Sequence, residues 1–190
     1  MSTFADIQPL LAYFYKWEKE PVERPFLKQP YGSEWKTWTY RQAGKMARQI
    51  ANALIGKGYP KGSSIAILSK NCYHWIIADL AIQMAGHVSV PLYPNLEPEQ
   101  LSLVLKKSKT KLMFAGKLET WYADAVPEGI EIVRFPHYEG NVRVEQGESW
   151  EDLLKKHSPI ASDPLPDLDD LWTILFTSGT TGNPKGAMHT

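Results

Sequence analysis

The chain has 190 residues, 43% hydrophobic and 22% charged, which suits one domain with a substantial core and excludes large-scale disorder. Its 21 Lys and Arg balance 21 Asp and Glu, so no global positive field exists to hold nucleic acid, and no nucleic-acid partner is expected. A single cysteine, Cys72, excludes an intrachain disulfide and suits a reducing compartment.

Met1 to Phe4 show no basic region ahead of a long apolar run, so no secretory leader is read there. Ile7, Leu10, Leu11, Phe14 and Trp17 or Glu18 then fall at helical spacing, with Pro21 as the stop. Without a Lys/Arg cluster on the polar face, this helix is expected to dock on a core rather than lie on a membrane. Phe26 to Gln29 and Glu34 to Thr39 read as a small antiparallel hairpin turned at Tyr31-Gly32-Ser33. Trp35 and Trp38, three apart, would point to opposite faces of an unbroken strand. Thr39-Tyr40-Arg41-Gln42 is a capping box. It opens a helix with a buried stripe of Ala43, Met46, Ala47, Ile50 and Leu54, closed by Gly56 and Gly58.

Ser64 to Leu68 is a short apolar strand, after which Asn71 can cap a helix striped by Tyr73, Ile76, Ile77, Leu80, Ala81 and Met84. Val88 to Leu92 is strand-like, and Pro91 and Pro94 bracket a turn into Glu97-Pro98-Glu99-Gln100. The helix that follows buries Leu101, Val104 and Leu105. Lys106, Lys107, Lys109 and Lys111 read as its solvated end, with cations near the negative pole of the helix dipole. Lys111 to Ala115 is the next strand. Helix and strand thus alternate from residue 39 to 115, which implies an α/β fold with a largely parallel sheet and helices on both faces.

Leu118 to Ala125 reads as a short helix, Ile130 to Phe135 as a strand, and Pro136 to Gly147 as loop or minor hairpin. Ser149 caps a helix that ends near His157. Ser158 to Asp170, with three prolines and four aspartates, reads as an exposed connector. The expected organisation is therefore an α/β unit over 1–157, a connector over 158–170, and a strand plus loop over 171–190. The five histidines show no ligand spacing, so no metal site is assigned. No stretch approaches the ~20 apolar residues of a membrane span. A cytoplasmic protein is expected, with peripheral membrane contact left open.

Leu171 to Leu175 lead into a segment of hydroxyls, glycines and one lysine. Gly179, Gly182 and Gly186 let the backbone turn tightly and approach a ligand. Successive N–H groups in such a loop form an anion-binding concavity. Thr177, Ser178, Thr180 and Thr181 add hydroxyl donors, and Lys185 a mobile positive charge. The pattern is neither G-x-x-x-x-G-K-[ST] nor G-x-G-x-x-G, so the residues alone give an anion-binding loop after a strand, or a Gly/Thr-rich surface turn.

The ten residues Thr177 to Gly186, T-S-G-T-T-G-N-P-K-G, resemble the signature phosphate-binding loop of the adenylate-forming (AMP-binding) superfamily of acyl-CoA synthetases, luciferases and peptide-synthetase adenylation domains. Thr37 to Gln42 is similar to that superfamily's W-T-Y-x-x-L segment, with Ala43 where leucine is common, and Ala85 to Pro94 to its A-G-x-x-x-V-P-L-x-P segment. The Pro-Leu-Tyr-Pro form looks most like long-chain fatty-acid CoA ligases.

The resemblance implies an ATP-dependent ligase acting in two steps. A carboxylate attacks the α-phosphate of ATP to give acyl-adenylate and pyrophosphate, and coenzyme A then displaces AMP. It implies ATP, Mg2+ and coenzyme A as cofactors and a fatty acid or other carboxylic acid as substrate. It places Thr177, Ser178, Gly179, Thr180, Thr181, Gly182 and Lys185 on the ATP phosphates. The catalytic residues, the magnesium ligand and the C-terminal domain are expected beyond residue 190. The chain then reads as the incomplete N-terminal part of the AMP-binding domain, inactive alone. Ligases of aryl, short-chain or amino acids, or a non-catalytic module that kept the loop, remain alternatives.

Overall fold

The computed structural model describes residues 7–177 and 183–190. It opens with helix α1 (Leu10–Glu18) and an antiparallel pair, β1 (Pro25–Tyr31) and β2 (Glu34–Thr39). The capping box forms at the start of α2 (Tyr40–Gly56): Thr39 Oγ1 accepts from the Gln42 amide at 3.3 Å, and Gln42 Oε1 accepts from the Thr39 amide at 3.0 Å. Then follow β3 (Ser64–Ser69), α3 (Tyr73–Met84), β4 (Val88–Leu92), α4 (Pro98–Lys107), β5 (Leu112–Gly116), β6 (Glu131–Arg134), β7 (Glu148–Ser149), α5 (Trp150–Lys156), β8 (Thr173–Thr177) and β9 (Lys185–His189).

The described strands β3 to β9 form one sheet in the order β7-β6-β5-β3-β4-β8-β9, parallel throughout except for the β8–β9 pair. Strand residues alternate between two cores. Ile65, Ile67, Leu112, Phe114 and Val133 pack with α1, α2, α3 and α5 on one face. Ala66, Leu68, Val90, Leu92, Met113 and Ala115 pack with α4 on the other. This is the sheet buried on both faces that the near-continuous apolar strands imply.

The first core is rich in aromatics. The Trp150 indole sits edge-on to Phe114 and Phe135, with centroids 5.8 and 5.4 Å away. A ring nitrogen of buried His74 shares a hydrogen bond with Tyr138 Oη at 2.7 Å. Trp38 stacks on Tyr73 at 3.8 Å, whereas Trp35 is exposed, as their spacing requires.

Four local readings change. On α1 the buried residues are Leu11, Phe14 and Tyr15, while Leu10, Tyr13 and Trp17 lie exposed. The core takes a different stripe of the same helix, the one that α2 packs against. The N-cap of α3 is Cys72, not Asn71, and its side chain makes no capping bond; Gln29 Oε1 accepts from the Tyr73 amide instead. Of Leu118 to Ala125 only Ala123–Ala125 is helical, as a 3-10 turn. Finally, the 158–170 connector is a pinned strap. Arg48 binds Asp163, Tyr15 Oη donates to the Pro164 carbonyl at 3.1 Å, Asn52 donates to the Ser158 carbonyl at 2.8 Å, and Lys61 pairs with Asp170 at 3.1 Å. Composition correctly marks that segment as irregular, but its anchors are scattered over α1, α2 and the turn before β3.

Candidate functional site

Strands β8 and β9 form an antiparallel hairpin with Thr173 opposite His189 and Thr177 opposite Lys185. The lysine expected at the phosphates therefore stands across from the threonine that begins the loop. Ser178, Gly179, Thr180, Thr181 and Gly182 lie outside the described residues, and the described chain resumes at Asn183. Thr177 and Lys185 are thus brought together by strand register, at the hairpin's loop end. Both side chains are exposed.

Gly186 has a different role from the one its composition suggests. It lies inside β9, opposite Phe176. A Cβ there would come within 2.8 Å of Ile174 Cγ2 and 3.2 Å of Phe176 Cζ. It is glycine because the β8 side chains cross over its backbone, a packing need rather than ligand approach.

The hairpin hangs on the parallel sheet at one end. The Ser89 amide donates to the Trp172 carbonyl at 3.0 Å, and Thr173 Oγ1 donates to the Ser89 carbonyl at 3.0 Å. The next inward-pointing amide on β4 would belong to residue 91, which is proline and has no N–H to give. The two strands accordingly pair only at Ser89–Thr173. Beyond that pair, a cavity of about 330 Å³ lies at the ends of the two strands, walled by Leu92, Tyr93, Gln100, Phe176, Thr177 and Pro184. This is the carboxyl end of the parallel strands, where open α/β sheets hold their ligands. Pro91, read from sequence both within the strand Val88 to Leu92 and as a turn bracket, is a strand residue that pairs with Ile67 of β3 and gives no amide on the β8 side.

One residue near the loop was not foreseen. The Lys107 ammonium, at the end of α4, donates to Asn183 Oδ1 and, at 3.1 Å, to the Pro184 carbonyl. Spacing marks Lys107 only as a helix-end cation, and the contact joins residues 76 apart, so no local signal could reveal it. Thr177 and Lys185 together offer hydroxyl and ammonium donors suited to polyphosphate oxygens, while the Lys107 ammonium is taken up by Asn183 and Pro184. Among the described residues no group of three or more His, Cys, Asp or Glu could hold a metal ion. Thr177, Lys185 and Lys107 themselves bring a hydroxyl and two ammonium groups and no carboxylate, so they do not fit a resident Mg2+, and no step is derived through one.

Residues 14–190 match the family model described as AMP-binding enzyme. The chain belongs to the AMP-binding enzyme family. It is 34% identical over 182 residues to human long-chain-fatty-acid–CoA ligase 1, covering 85% of this chain and 25% of that protein. It is also 28% identical over 156 residues to tyrocidine synthase 3 of Brevibacillus parabrevis, covering 81% of this chain and 2% of that protein. The chain thus spans about a quarter of the length of the long-chain ligase. Among solved structures, that of the anthranilate CoA ligase AuaEII in complex with anthranoyl-AMP superposes with a TM-score of 0.80 at 20% identity, over 100% of this chain and 36% of that one. That likeness carries the fold: the α/β architecture is that of adenylate-forming enzymes. No helix among the described residues is long and apolar enough to cross a membrane.

Proposed function

We propose that the whole protein carrying this chain activates a long-chain fatty acid with ATP as acyl-adenylate and transfers the acyl group to coenzyme A. In this reading the β8–β9 hairpin holds the β- and γ-phosphates. The amides and hydroxyls of Thr177, Ser178, Thr180 and Thr181 donate to phosphate oxygens, Gly179 and Gly182 allow the approach, and Lys185 adds charge. The carboxylate that holds Mg2+ comes from another part of the whole protein. No protein nucleophile is needed, because the carboxylate of the substrate itself attacks; the chain's part is positioning and charge stabilisation. The observation that carries the reading is the Thr177–Lys185 register pair, which sets the two ends of the signature segment side by side at the carboxyl end of the parallel sheet. The identity to human long-chain-fatty-acid–CoA ligase 1 supports the choice of acid.

The test is pyrophosphate release and thioester formation by the full-length protein with ATP, Mg2+ and coenzyme A, across fatty acids of graded length, aryl acids and amino acids. Turnover confined to long chains is the expected outcome. A preference for aryl or amino acids would reassign the substrate, and no turnover with any acid would leave a non-catalytic module. Lys185→Met should raise KM for ATP more than KM for the acid.

A further inference from the structure

We propose that Lys107 is a positioning residue for the phosphate loop, holding the limb by which the chain leaves the loop and enters β9. The inference rests on the phosphate-binding reading of the hairpin. The hairpin's entering limb is anchored at the base of β8, through Ser89, Trp172 and Thr173. Its leaving limb enters β9, which pairs with β8 on the side away from β4, and Pro184 lines the cavity at the end of the sheet. The contact that crosses from the sheet's helical layer to that limb is the Lys107 ammonium on Asn183 Oδ1 and the Pro184 carbonyl.

Lys107 is suited to this task. Its stem leaves the last turn of α4, and α4 is fixed by buried Leu101, Val104 and Leu105. A three-donor ammonium can hold a side-chain oxygen and a carbonyl at once. Residue 184 is proline, so its carbonyl is its one hydrogen-bonding group, and an external donor satisfies it. Holding the limb of a binding segment in place before its ligand arrives lowers the ordering cost of binding, which emerges as tighter phosphate binding rather than faster chemistry.

The experiment compares wild type, Lys107→Ala and Lys107→Arg in the full-length protein. One readout is the steady-state KM for ATP, KM for the acid, and kcat. The other is calorimetric affinity for α,β-methylene-ATP, which needs no turnover. Lys107→Ala should raise KM for ATP and weaken analogue binding by about three- to tenfold, the range for a charge-assisted contact open to solvent. KM for the acid and kcat should stay within about twofold, and Lys107→Arg should recover most of the loss. Unchanged analogue affinity in Lys107→Ala, or loss in kcat alone, overturns the proposal. Wild type that binds the analogue but turns over no acid refutes the ligase reading while the calorimetry still decides on Lys107. Wild type that binds no analogue overturns both.

Discussion

Gly44, in the first turns of α2, lies beside an ion pair that fixes the strap leading to the hairpin. Arg48 Nη1 and Nη2 each donate to a carboxylate oxygen of Glu18 at 2.7 Å, and Nη2 also reaches Asp163 at 2.6 Å. Arg48 and Glu18 side chains are only 12% and 11% exposed, so the pair is mostly desolvated. A Cβ on Gly44 would lie 1.9 Å from Glu18 Oε1 and 2.8 Å from Arg48 Nη1. In an open helix position Gly→Ala stabilises by about 1 kcal/mol. Here the methyl must displace the Glu18 carboxylate. The two charge-assisted bonds are worth about 1.5–3 kcal/mol each, and Arg48 keeps Asp163, so a gross loss of roughly 3 kcal/mol is expected. The net prediction for Gly44→Ala is destabilisation by about 2 kcal/mol. In a Glu18→Ala background only the end of the flexible Arg48 side chain has to give way, and the same change should instead stabilise by up to about 1 kcal/mol. Urea denaturation followed by tryptophan fluorescence measures both. Stabilisation in the wild-type background, or equal destabilisation in both, would refute the steric and electrostatic account.

Gly186→Ala should lower stability by about 1–2 kcal/mol in the same assay, because Ile174 and Phe176 must move aside. Adding Phe176→Leu should recover part of that loss. For pH, His74 is 1% exposed and burial pushes it down from 6.5 to about 3. The unfolded chain therefore takes up this proton first, so the stability it confers is complete above pH 6.5 and is lost as pH falls toward 3. Moving from about pH 7.5 to about pH 5.5 should cost roughly 1.4 kcal/mol through His74. Burial lowers His87 in the same direction. The carboxylates held below their ordinary value, such as Asp163 and Glu148, act only at lower pH. Urea titrations at the two pH values should show the slope, and His74→Phe should remove most of it.

The alternation of helix and strand from residue 39 to 115 was legible because each element carries its own period and α2 its own capping box, both local properties. Ala43, Ala47, Ile50 and Leu54 could be named as buried, and they are. Residue order alone likewise singled out Thr177 to Gly186, because glycines, hydroxyls and a lysine gather there directly after an apolar run. The face of α1 that is buried was not legible: Leu10 and Leu11 are equally apolar, and only the position of α2 chooses between them.

The same limit applies at the candidate site. The chain's order shows that Thr177 and Lys185 flank a loop, but their facing positions come from the antiparallel register of β8 and β9. Pro91 announces itself as a residue without an N–H, yet its effect depends on β8 lying on that side of β4. Lys107 looks like any helix-end cation until the fold carries α4 beside Asn183 and Pro184. Local chemistry is written in neighbouring residues, so sequence alone determined the helices and strands from residue 39 to 115 and the donor-rich character of the loop, whereas β9, read as part of the loop, becomes a strand only by pairing with β8. Contacts between residues far apart in the chain depend on how the sheet is ordered and how its helices pack, so tertiary structure alone decided what stands against the loop's two limbs.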